Sequence, residues 1–145
     1  TQYRPDHWLG QGVYFFLSQD QAYWWVSSAV PLMETLNEFY ARQTYPQFVA
    51  KFGGRATHHK EIRKNGIGYY SNSVNFQTLL KHFGIGQGVA AKKIGKMLDD
   101  TYYDDFLDVS FERIFRNKLS KEDFSFLCSY INMPHKEFAE FLKLV

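Results

Sequence analysis

The chain has 145 residues, 45% of them apolar and 22% charged, which is the size and composition of one ordinary globular domain and excludes a disordered or fibrous chain. No apolar run approaches the roughly 20 residues of a membrane span and no signal peptide opens the sequence, so an intracellular setting (cytoplasm, nucleoid or nucleus) without a membrane partner is expected. Cys128 is the single cysteine, which excludes an internal disulfide and any four-cysteine zinc or iron–sulfur centre; no metal and no cofactor are expected.

In chain order, Val13-Tyr14-Phe15-Phe16-Leu17 has the composition of a buried strand, but Val13, Phe16 and Leu17 also fit a helix running on to Gln21 and Trp24, and length favours the helix. Leu32, Leu36, Phe39 and Tyr40 form an apolar stripe at helical spacing, with Pro31 acceptable only in the first turn. Phe76, Leu79, Leu80 and Phe83 stand at i, i+3, i+4 and i+7 on one helix face. Leu107, Phe111, Ile114 and Phe115 make a further stripe. Ser120 and Asp123 have the spacing of a capping box, with Asp in place of Glu or Gln, ahead of Phe124, Leu127 and Ile131. Pro134 opens a last short helix carrying Phe138, Phe141 and Leu142. Glycine pairs or clusters at Gly53-Gly54, Gly66 to Gly68 and Gly84 to Gly88 mark the loops. The fold expected is all-α or mainly helical: one domain over 1–145, or two small lobes around a cleft, acting as a monomer.

The net charge of +2 conceals a segregation. Between Arg42 and Lys96 ten Lys and Arg residues face a single carboxylate, Glu61, whereas Asp99 to Glu112 holds six carboxylates and no base. Such a basic tract attracts polyanions, phosphate backbones above all, unless the two stretches neutralise each other on folding. The 14 Phe, 10 Tyr and 3 Trp suit a packed core first and stacking surfaces second.

The most informative stretch is Leu79-Leu80-Lys81-His82-Phe83-Gly84-Ile85-Gly86-Gln87-Gly88-Val89-Ala90-Ala91-Lys92-Lys93-Ile94. An apolar helix ends in Gly-Ile-Gly and a second helix begins at once. Glycines there permit positive φ and bring bare amides to a helix N-terminus, where the helix dipole suits a phosphate oxygen. Ile85 is expected to point inward and pin the turn. Neither a Walker A loop nor a dinucleotide fingerprint is present, because the Lys-Ser/Thr ending and a preceding strand are missing.

Helix, Gly-apolar-Gly bend and helix resemble the helix-hairpin-helix element of DNA-binding proteins. Asp108, 22 positions after Gly86, follows an apolar pair at a helix start; as an isolated feature it is an N-cap. In combination with the bend it resembles the catalytic aspartate of the helix-hairpin-helix DNA glycosylase superfamily. Ile62 to Ser71, with Gly66-Ile67-Gly68-Tyr69-Tyr70, is similar to the Gly-Leu-Gly-Tyr-Tyr segment of adenine-mismatch glycosylases and its counterpart in endonuclease III, and Asp6 to Gln19 resembles the family's first core helix.

This resemblance implies a base-excision enzyme that grips double-stranded DNA and extrudes a damaged or mismatched base. Gly84, Gly86, Gln87, Gly88, Lys92 and Lys93 would hold the backbone, and Tyr14, Gln19, Tyr69 and Tyr70 would line the base pocket or wedge the stack. Asp108 would drive N-glycosidic cleavage. Gly88 stands where bifunctional members carry a Schiff-base lysine, which implies a monofunctional hydrolase, and the family's intermediate helix is mostly missing, which keeps a non-catalytic DNA-binding module in play. A third resemblance is carried by Trp8-Leu9-Gly10-Gln11-Gly12-Val13-Tyr14-Phe15, which is similar to the tyrosine-bearing strand of ADP-ribosyltransferase-like toxins.

Overall fold

A computed structural model describes residues 18–20, 30–54, 69–102 and 105–145. It is mainly helical, with no strand among the described residues. The elements are α1 (Val30–Phe52), α2 (Tyr70–His82), α3 (Gln87–Asp100), α4 (Phe106–Ser110) running into a π-helical turn (Phe111–Phe115), α5 (Lys121–Ser129) and α6 (His135–Leu142).

The apolar stripes became the buried faces. Leu32, Leu36 and Phe39 of α1 pack with Phe76, Leu79 and Leu80 of α2 and with Ala90, Ile94 and Met97 of α3, all buried. Rings run through this core in sequence: Phe39 meets Phe76 edge-on at 5.1 Å, Phe76 meets Phe115 at 6.2 Å, and Phe115 stacks on Phe124 at 4.6 Å. Each ring contact adds about 0.5–1.5 kcal/mol beyond the area it buries. The expectation that aromatics mainly fill the core therefore holds for these residues.

Local signals work as their chemistry dictates. Ser120 caps α5: its hydroxyl accepts the Asp123 amide at 3.1 Å and donates to the Asp123 carboxylate at 2.8 Å. Pro134 precedes α6, and Phe138 and Leu142 bury their side chains. Asn75, fully buried on α2, donates to the carbonyls of Ile131 and Met133 at 2.8 and 2.7 Å and accepts from His135 Nδ1 at 3.1 Å. One side chain thus clamps α2 to the α5–α6 corner.

Ser18 is a bend and Gln19 and Asp20 are helical; the rest of the segment expected as a helix from Val13 to Trp24 lies outside the described residues. Helix α1 continues far past its buried stripe, through Pro46 to Phe52. Beyond Tyr40 its residues are partly or fully exposed.

Candidate functional site

The bend between α2 and α3 is built from helix-capping chemistry. Gly84 has φ +65, the left-handed conformation that glycine adopts without penalty. Its amide donates to Lys81 O at 3.1 Å, and the Ile85 amide donates to Leu80 O at 2.8 Å. These are the two paired bonds of a Schellman motif, which closes α2 and turns the next residue inward. Ile85 accordingly packs against the core.

Gly86 is extended (φ −65, ψ 133) and is the N-cap of α3, its carbonyl accepting the Ala90 amide at 3.0 Å. The amides of Gln87, Gly88 and Val89 are then the orphan donors of a helix start, and none has an acceptor among the described residues. The residues bearing them are exposed. Only Gly84 needs its missing side chain for conformation. A Cβ on Gly86 would meet Val89 Cγ2 at an ordinary 3.8 Å, and one on Gly88 would meet nothing within 4 Å.

Beyond the bend, α3 turns Ala90, Ile94 and Met97 inward and leaves Lys92, Lys93 and Lys96 exposed. Lys92 and Lys96, one turn apart, form a ridge between two concavities. The first, about 560 Å³, lies between α1 and α3 and is lined by residues that include Tyr40, Gln43, Gln47 and Gly88. Gln43 Nε2 donates to Gln87 Oε1 at 2.9 Å across its edge. The second, about 450 Å³, lies between α3 and the π turn and is lined by Lys92, Lys93, Lys96 and Arg113. Lys93 Nζ donates to the Arg113 carbonyl at 2.6 Å, and Arg113 Nη1 reaches both oxygens of Asp100 at 2.9 and 3.2 Å. The Arg113 hydrogen bond, then that of Thr101, holds the Asp100 carboxyl below its ordinary range. The basic and acidic tracts therefore meet here, but only in part.

The remaining expected site residues lie elsewhere. Asp108 sits in the first turn of α4, whose N-cap is Asp105; its carboxylate is exposed and ion-paired with Lys121 Nζ at 2.9 Å. Tyr69 and Tyr70 stand at the start of α2, a whole helix of 13 residues away from the bend, or about 20 Å along the axis. Tyr69 is 39% exposed, and its hydroxyl is pushed above the ordinary value by burial and by the nearby Glu34. The Tyr70 ring lies under the Arg42 guanidinium at 4.8 Å. Gln19 is exposed, and Tyr14, Trp24 and Trp25 lie outside the described residues.

The structure thus brings the bend residues and lysines together, and leaves the tyrosines and Asp108 in separate surroundings of their own. Sequence reasoning missed Tyr40, Gln43 and Gln47, whose place beside α3 is set by tertiary packing and leaves no local signal. Compared with protein-family models, with curated proteins and with solved structures, the chain matches none. No helix among the described residues is long and apolar enough to cross a membrane.

Proposed function

We propose that the chain binds duplex nucleic acid by its phosphate backbone, seating a phosphate on the amides of Gln87, Gly88 and Val89 and running the strand along the Lys92–Lys96 ridge. One observation carries this reading: Gly86 and Gly88 sit on an exposed bend where neither is required by the backbone or by a neighbouring atom. Gly86 is acceptable as an N-cap, but at Gly88, inside the first turn, glycine is weaker than alanine, and the absence of Cβ is useful there when another molecule's backbone must come close. The orphan amides and the lysines supply the matching chemistry.

Fluorescence anisotropy with a labelled duplex tests it. Binding is expected to fall steeply with salt, and Lys92→Gln should lower the salt slope by about one unit if that lysine neutralises one phosphate. Gly86→Val should weaken binding about tenfold or more by blocking backbone approach, a loss of roughly 1.4 kcal/mol. A wild-type protein with no affinity at low salt sinks the proposal.

The proposal stops at binding. Glycosidic cleavage by Asp108 requires that carboxylate at a sugar, whereas here it is exposed and paired with Lys121. A base-release assay on duplexes with oxidised, alkylated, deaminated and mismatched bases separates the two cases: release abolished by Asp108→Asn marks an enzyme, and binding without release marks a non-catalytic module. The ADP-ribosyltransferase-like reading rests on the Tyr14 segment, which lies outside the described residues. Its signature is NAD consumption without DNA, lost in Tyr14→Ala.

A further inference from the structure

We infer that the concavity between α3 and the π turn is a separate site for a compact polyphosphate group. Four cationic side chains, Lys92, Lys93, Lys96 and Arg113, line one space of about 450 Å³, within the size range of small-ligand sites. Like charges gathered this closely repel one another, and an anion among them removes that repulsion. Among the described residues the only carboxylate bonded to the group is Asp100, so one acidic group there faces four cations.

Two of the cations are held in place. The Lys93 ammonium is fixed on the Arg113 carbonyl, and the guanidinium is fixed by Asp100 through Nη1 alone. The remaining edge of that guanidinium fork has no hydrogen-bond partner among the described residues, nor does the Lys92 ammonium, while Lys96 makes no hydrogen bond there but lies within electrostatic reach of Asp100. A planar guanidinium fork with several ammonium point charges is phosphate-recognition chemistry, and the multiplicity of charge selects a di- or triphosphate over a single carboxylate.

This inference does not depend on the bend. Lys92 and Lys96 border both concavities, but Lys93 and Arg113 belong to this one. The test is isothermal titration of the full chain with inorganic tripolyphosphate. Saturable one-site binding is expected, weakened about tenfold by Arg113→Gln and less by Lys93→Gln, as for loss of a charge-assisted hydrogen bond. Asp100→Asn should bind more tightly, since it releases the guanidinium and removes the opposing charge. That gain separates a site from a folding defect, which could only weaken binding.

No saturable heat with the wild type, or equal affinity in the Arg113→Gln and Asp100→Asn proteins, overturns the inference. Gly86→Val, which addresses the bend, should leave tripolyphosphate affinity unchanged while weakening the duplex, so each reading fails independently. Tripolyphosphate displaced by duplex marks a backbone phosphate as the occupant, and tripolyphosphate that stays marks a free phosphorylated molecule. Either result upholds the site.

Discussion

A methyl group added at Gly88 enters open space, and alanine is preferred to glycine in a helix by up to about 1 kcal/mol. Gly88→Ala is therefore expected to stabilise the fold by about 0.5 kcal/mol, read as a shift in the urea midpoint, while weakening duplex binding in the anisotropy assay. Stabilisation without loss of affinity would show that no ligand approaches this backbone. The glycine cluster was legible because glycine is conspicuous when it breaks an apolar helix, and Ile85 was legible because an apolar residue between glycines has one place to go. What could not be read was that only Gly84 serves the turn. That distinction depends on φ and on empty space, neither of which sequence displays. Asp108 is the opposite case: its type and position at a helix start were readable, but not its partner Lys121, thirteen positions further on.

Among the elements, the helices that announce themselves are those whose large apolar residues recur at three and four. Phe76, Leu79 and Leu80 on α2 and Phe124, Leu127 and Ile131 around α5 are all essentially buried. The π turn had no such signal, since Phe111, Ile114 and Phe115 fit an α period equally well; its wider turn shows in the Arg116 amide bonding back five residues to Phe111. The seam of α1 and α3 was also silent. There Gly95 meets the ring of Tyr40 so closely that a Cβ would lie 2.6 Å from Cε2. Gly95→Ala should consequently destabilise the protein by about 1 kcal/mol despite its better helix propensity, because overpacking outweighs it. In the urea titration used for Gly88→Ala the midpoint should move the other way. Two glycine-to-alanine changes within one helix, opposite in sign, would separate a glycine kept for packing from one kept for access.

At the scale of the whole molecule, the described helices converge on one aromatic core and on Asn75. Asn75→Ala would strip two buried-side carbonyls of their donor and the His135 ring of its acceptor, and a loss of about 2–4 kcal/mol is expected from chemical denaturation. Leu at the same position should do no better, since the carbonyls would still lack a donor. An all-helical fold was readable from periodicity, whereas this clamp was not, because it joins residues 56 to 60 positions apart. Its geometry also fixes a tautomer. The Asn75 amide nitrogen is already committed to two carbonyls, so its oxygen is what faces the imidazole, and His135 must carry its ring proton on Nδ1. The basic lone pair is then left on Nε2 of an exposed side chain. An amide on α2 thus dictates which face of the His135 ring, on α6, can accept a hydrogen bond.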